Sequence, residues 1–349
     1  MTPRNRALWL PKRGAPFEVG PAPYTPPTAD EVVVQVGAVA VNPFDAIPGF
    51  VYRLILPWLT FPTVIGSDVA GEVVEVGTNV TRLRPGDRVL GHAVGTERSR
   101  NRAAEGAFQK YTVLMQHMVS PIPDNLPFEE AAVLPLAIST AACGLFQQDQ
   151  LALQLPTMDA PDRKETVLVW GGSTSVGSNA IQLARCAGYR VLATASPHNF
   201  DYVRSLGAAA AFDYHSRSAV NEILGALGAS PLAGTLAIGA GSLSAALSIA
   251  AKASGRRRVA TAYPTPISRA RSLWERRRGI HLSLIWGATL KDNEVGPGIY
   301  VDFLPAALGT GIYRTAPEAV LVGEGLEQIP NAIDRLRKGV SAKKLVVRV

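Results

Sequence analysis

Between residues 31 and 41 the chain reads EVVVQVGAVAV, and between 69 and 76 it reads VAGEVVEV. Both runs are rich in valine and alternate in polarity, which suits a pleated strand with one buried face. Turn chemistry lies between and after them, at Asn42-Pro43, Gly66, Gly71, Gly77-Thr78-Asn79 and Pro85-Gly86-Asp87. The first 120 residues therefore predict a β-rich unit with long loops, and His92 to Gly106 reads as a surface excursion. Near Pro127 the texture changes. FEEAAVL (128–134) predicts a helix start, with acids in the first turn where the macrodipole favours them. Strands are then expected at TVLVW (166–170), YRVLATA (189–195), 211–212, 236–238, 258–262 and 281–286, with helical patterns at 176–187 and 200–206. Uncharged strands alternating with helices imply a parallel sheet covered on both faces. At the end, GLEQIPNAIDRLRK (325–338) predicts an amphipathic helix stopped by Gly339, and Lys344 to Val349 a last strand. The pattern divides the chain into a β-rich domain, 1–126 plus 291–349, interrupted by an α/β domain at 127–290.

A length of 349 residues agrees with two domains, and 47% hydrophobic against 18% charged residues excludes a disordered chain. The net charge of +7 raises a nucleic-acid reading. Its main sources are Arg98-Arg100-Arg102, Arg256-Arg257-Arg258 and Arg276-Arg277-Arg278. Only Trp274 is an aromatic close to a cluster and no recognition motif accompanies them, so they are expected in solvated loops without a nucleic-acid partner. Two cysteines, Cys143 and Cys186, can form neither a disulfide scaffold nor a four-cysteine zinc site. Residues 1–16 lack the apolar core of a signal peptide. The longest uncharged stretch, 223–251, is interrupted by Gly225, Gly228, Pro231, Gly234, Gly239 and Gly241. It reads as a buried strand and a small-residue helix, not a membrane span, and the chain is expected to be cytoplasmic.

The segment WGGSTSVG (170–177) joins an apolar strand to a helical pattern. Small residues here let a backbone approach a pyrophosphate, which then rests on the helix N-terminus. The candidates are Gly171, Gly172, Ser173, Thr174, Ser175, Val176 and Gly177, with the hydroxyls standing in for a missing glycine by donating to phosphate. An NAD-dependent fold places an acid about 20 residues on, against the ribose 2′-OH. Here the second strand ends in Thr194-Ala195-Ser196-Pro197-His198-Asn199, and the first acid is Asp201. Ser196, His198 and Asn199 would welcome a 2′-phosphate that a carboxylate would repel, which predicts NADP(H).

Several segments together carry a family resemblance over nearly the whole chain. They are Asn42-Pro43-Phe44-Asp45, Gly66-Ser67-Asp68-Val69-Ala70-Gly71-Glu72-Val73, Val76-Gly77, Pro85-Gly86-Asp87-Arg88-Val89 and the 171–177 loop. In this order they resemble the medium-chain dehydrogenase/reductase superfamily. The chain looks most like its zinc-free quinone and enoyl reductases, a branch that includes microbial trans-acting enoyl reductases of polyketide pathways and the ToxD- and CipB-like oxidoreductases. The resemblance implies a GroES-like substrate domain with an inserted Rossmann domain, and it places Asn42 and Tyr214 at the cofactor. Zinc enzymes of the superfamily hold a catalytic metal on three side chains. Asn42, Ser67 and Leu136 stand near those positions and none matches, while Val94 to Ala107, where a structural zinc lobe would fall, has no cysteine. No metal ligands are assigned.

A reductase of this kind needs a proton donor. Ile47 stands where relatives carry Tyr or Lys, Tyr52 is out of register, and Asp45 and Asp68 are alternative acids or loop-fixing carboxylates. The expected activity is NADPH-dependent reduction of an activated C=C bond in an enone, enoyl thioester or quinone, free or carrier-bound, by a monomer or homodimer without a membrane partner. The alternative is a cofactor-binding protein without reductase activity: a non-redox pathway enzyme, or a regulatory or RNA-binding crystallin-like protein.

Overall fold

A computed structural model of the chain describes residues 3–262 and 266–349. Two compact units emerge, Met1–Leu136 with Leu308–Val349, and Ala137–Ala307. Their boundaries lie inside the helices Pro135–Phe146 and Leu304–Thr310 and not at 126/127 and 290/291. A boundary within a helix leaves no linker composition in the sequence.

The strands in chain order are β1 (Asn5–Leu10), β2 (Glu18–Ala22), β3 (Glu31–Ala40), β4 (Thr63–Val64), β5 (Asp68–Val76), β6 (Arg88–His92), β7 (Tyr111–Met115) and β8 (Val119–Pro121). The second unit contributes β9 (Thr166–Trp170), β10 (Arg190–Ala195), β11 (Ala210–Asp213), β12 (Leu232–Ala237), β13 (Arg258–Thr261) and β14 (His281–Leu284). The chain returns to the first unit with β15 (Glu318–Glu324) and β16 (Lys343–Arg348).

In the first unit, β3 is the hub of a seven-stranded sheet, pairing antiparallel with β5, β7 and β16. Its Val32, Val33, Val34 and Val36 are all buried, so the valine run is the core of this unit. The amphipathic C-terminal helix covers Ile329–Arg337 and buries Ile329, Ala332 and Ile333. It ends where Gly339 adopts φ +91, as its sequence predicted.

The segment after β6 corrects two expectations. It is no surface excursion: Ala93 to Thr96 and Glu105 to Gln109 are buried. Glu105, 1% exposed, accepts from Arg100 Nε and Nη2, both at 2.7 Å, and pairs with Arg102 at 2.8 Å. Arg100 and Arg102 also pair with buried Glu31. Burial pushes the Glu31 carboxyl up, but the Thr28 N–H and the two arginines outweigh it and hold the group below the usual carboxylate range. These two arginines are thus internal struts. Arg258 likewise donates to the Gln148 and Gln150 carbonyls, and Arg278 pairs with Glu275.

In the second unit the order β11-β10-β9-β12-β13-β14, parallel throughout, is a doubly wound sheet. All five residues of β9 are buried at its centre, which explains their continuous apolar character. The uncharged stretch 223–251 contains β12 and the helix Ser242–Lys252, as expected. Among the described residues, the segment with the length and hydropathy to cross a membrane is a different one, Phe128–Phe146, and 72% of its most apolar stretch is buried inside the protein.

Candidate active site

At the end of β9 the chain turns through Gly171, with φ +88, into the helix Ser175–Cys186. A Cβ on Gly177 would lie 2.2 Å from the Gly171 carbonyl oxygen, so only glycine closes this turn. Thr174 caps the helix: its Oγ1 accepts from the Gly177 N–H at 3.0 Å, and its hydroxyl donates to the Gly171 carbonyl at 2.8 Å. Both of these bonds shape the loop, so the single hydroxyl proton of Thr174, one of the groups expected at a phosphate, is engaged within the turn. The half-buried Ser173 and Ser175 remain, together with the first-turn N–H groups of Ser175 and Val176 at the positive helix end.

The neighbouring strand ends add further donors. Ser196 Oγ, after β10, lies 3.1 Å from the Tyr214 hydroxyl, after β11. Tyr214 is 40% exposed and its ring lies 4.1 Å from that of His215. His198 is exposed on the short turn Pro197–Asn199, whereas Asn199 is buried. Asp201 is fully exposed and pairs with Arg204. Gly171, Gly172, Ser173, Ser175, Val176, Gly177, Ser196, His198 and Tyr214 thus gather at the carboxyl ends of β9, β10 and β11, the ligand end of a doubly wound sheet. Hydroxyls, an imidazole and a helix N-terminus, with no carboxylate ending β10 and Asp213 ending β11, fit the phosphates of a dinucleotide.

The first unit contains a second cluster, buried and polar. Asp68 opens β5 and is 0% exposed. Its Oδ1 accepts from the Leu136 N–H at 2.6 Å, and its Oδ2 accepts from Asn42 Nδ2 at 2.8 Å and from Lys344 Nζ at 2.9 Å. Lys344 also donates to Asn42 Oδ1. Asn42, expected at the cofactor, thus has both ends of its carboxamide engaged within this unit. Asp45 Oδ2 accepts from the Asn42 N–H at 2.8 Å, while Oδ1 is buried with no hydrogen-bond partner. Burial, reinforced by the negative charge of Asp68, pushes the Asp45 carboxyl up to about 7. His92, opposite Asp68 in the β5–β6 ladder, is pulled down by burial to about 4 and is neutral above that pH. The Tyr52 hydroxyl donates to the Phe44 carbonyl at 3.3 Å, and burial pushes its pKa up.

Of the three carboxyl and hydroxyl candidates, Asp45 and Asp68 share one cluster and Tyr52 adjoins it through Phe44. Lys344 and His92 are the members that sequence reasoning missed. A lysine next to a second lysine at a strand start carries no local mark of burial.

The superfamily's zinc finds no fitting donors here. The residues at the three ligand positions are a carboxamide already bonded at both ends, a serine, and a leucine that contributes its backbone N–H to Asp68. Among the described residues no group of three or more His, Cys, Asp or Glu side chains could hold a metal.

Residues 28–124 match the alcohol dehydrogenase GroES-like domain family. The chain is 49% identical to dehydrogenase pigH of Monascus ruber, over 99% of each chain. It is 35% identical to trans-enoyl reductase himH of Aspergillus japonicus, covering 99% of this chain and 97% of that one. Among solved structures, the CurK enoyl reductase matches with a TM-score of 0.77 at 21% identity over 99% of both chains.

Proposed function

The chain belongs to the medium-chain dehydrogenase/reductase superfamily and is an oxidoreductase, and from that premise we propose that it reduces an activated C=C bond with NADPH and without zinc. The reading rests on the Asn42–Asp68–Leu136 cluster, whose donors do not suit a metal. Reduction of a simple ketone puts charge directly on one oxygen, which metal-dependent enzymes stabilise with the ion. Hydride addition to the β-carbon of an enone or enoyl thioester instead yields a delocalised enolate, for which hydrogen-bond donors suffice. Similarity to a protein named trans-enoyl reductase supports the same choice.

NADPH, when bound, supplies the hydride. In this reading Ser173, Ser175 and the N-terminus of the helix Ser175–Cys186 hold the pyrophosphate. Ser196, His198 and Tyr214 receive the adenosine 2′-phosphate, since no carboxylate ends β10. The α-proton comes from water or from Asp45, whose raised pKa keeps it protonated below about 7. Incubation with NADPH carrying deuterium at the transferable position, plus matched enone and ketone substrates, tests the proposal. Deuterium is expected at the β-carbon of the reduced enone. Faster reduction of the simple ketone would overturn it.

A further inference from the structure

We propose that the Lys344 ammonium is the resident cation of the Asn42–Asp68 site, donating a hydrogen bond to the substrate carbonyl oxygen as negative charge develops there. The inference rests on the reductase reading above and supplies the electrophile that reading lacks.

A lysine that is 4% exposed is costly to bury and persists only where its charge is matched. Lys344 is matched by Asp68 at 2.9 Å and by the Asn42 carboxamide oxygen. Those two acceptors use two of the three N–H donors of an ammonium, leaving the third. Asp68 is anchored from the other side by the Leu136 N–H at 2.6 Å and by Asn42 Nδ2 at 2.8 Å. One carboxylate therefore ties together residues at the first and third metal-ligand positions of zinc-dependent relatives, directly beside the second, and the charge seated on it is an ammonium. A fixed donor in a water-poor setting needs no reorganisation when an oxyanion forms.

In the step itself, hydride bonds to the β-carbon and the C=C pair moves through the α-carbon on to the carbonyl oxygen. A proton from water, or from Asp45 with later resupply from water, then completes the α C–H bond. Lys344 donates a hydrogen bond throughout and keeps its proton, so the sum is enone, NADPH and one proton giving saturated ketone and NADP⁺.

The test compares wild type with Lys344→Met, Lys344→Arg and the double variant Lys344→Met/Asp68→Asn. The double variant removes both charges, so no lone carboxylate is left buried if the single variant fails to fold. Loss of one oxyanion donor should lower kcat about 100-fold or more in the Met-containing variants, with Arg restoring part of it. NADPH affinity, followed by cofactor fluorescence, should stay within about a factor of two, because the carbonyl and not the cofactor is the target. A readout independent of turnover uses 4-nitrophenol as an oxyanion mimic. Bound to wild type or Lys344→Arg it should ionise at lower pH than in water, and this shift should vanish without the cation. An unshifted nitrophenol in the wild type, an equal shift in the Met variants, or loss of NADPH binding in them would overturn the proposal. A wild type that shifts nitrophenol but reduces no enone would instead refute the reductase reading alone.

Discussion

Asp45 offers a quantitative test of the buried cluster. It is 2% exposed, with one oxygen on the Asn42 N–H at 2.8 Å and the other without a partner. Its carboxyl titrates near 7 in the folded chain against 3.8 for the free group. Because the folded value is the higher, the stabilisation it provides is complete below about 3.8. It is lost as pH rises to about 7, a change of roughly 4 kcal/mol at about 1.4 kcal/mol per pH unit. His92 acts in the opposite sense. Its folded value of about 4 lies below the free value of 6.5, so its contribution is complete above 6.5 and is lost as pH falls to about 4, roughly 3 kcal/mol. In the wild type the two slopes nearly cancel between about pH 4 and 6.5. Asp45→Asn keeps an acceptor for the Asn42 N–H and removes only the ionisation. The variant should therefore gain about 3 kcal/mol between pH 4 and 6.5, where the wild type stays level, and should exceed wild-type stability at pH 8. Denaturant unfolding followed by Trp fluorescence at closely spaced pH values measures this, with Trp9 and Trp58 in the first unit reporting directly. A difference between variant and wild type that does not change with pH would refute the reasoning.

Three further outcomes are expected. Elemental analysis of protein purified without chelators should find far less than one zinc per chain, since the three ligand positions carry Asn42, Ser67 and Leu136; a stoichiometric, tightly held zinc would contradict this. Ser196→Asp should weaken NADPH binding relative to NADH by more than about tenfold, because a carboxylate would face the 2′-phosphate; equal loss for both cofactors in titration calorimetry would remove Ser196 from that contact. Glu105→Gln should cost about 2–3 kcal/mol in denaturant unfolding, below the full value for a buried pair because Arg100 and Arg102 are partly solvated; a change under about 0.5 kcal/mol would return that arginine cluster to the solvated face first expected of it.

The elements themselves were written locally. The valine-rich runs of β3 and β5 and the all-apolar β9 each mark a strand, and the 3.6-residue period of Ile329–Arg337 states which face of that helix is buried, because composition and periodicity are properties of neighbouring residues; that β3 buries consecutive valines on both of its faces, not one, is a product of the tertiary packing. The 171–177 loop was legible for the same reason, as the turn, the cap and the helix start lie within eight residues. Which hydroxyl remains for a ligand was not, since Thr174 spends its own on the turn. The arginines at 100 and 102 looked like any loop charges until folding placed Glu31, some seventy residues earlier, against them. Lys344 is the clearest case. The β16–β3 register, Val346 opposite Ala40, carries Lys344 opposite Asn42 at the sheet's end, and β5 sets Asp68 beside both. That ion pair joins residues almost three hundred positions apart, and only strand pairing across the whole first unit decides that one of two adjacent lysines is turned inward while the other stays in water.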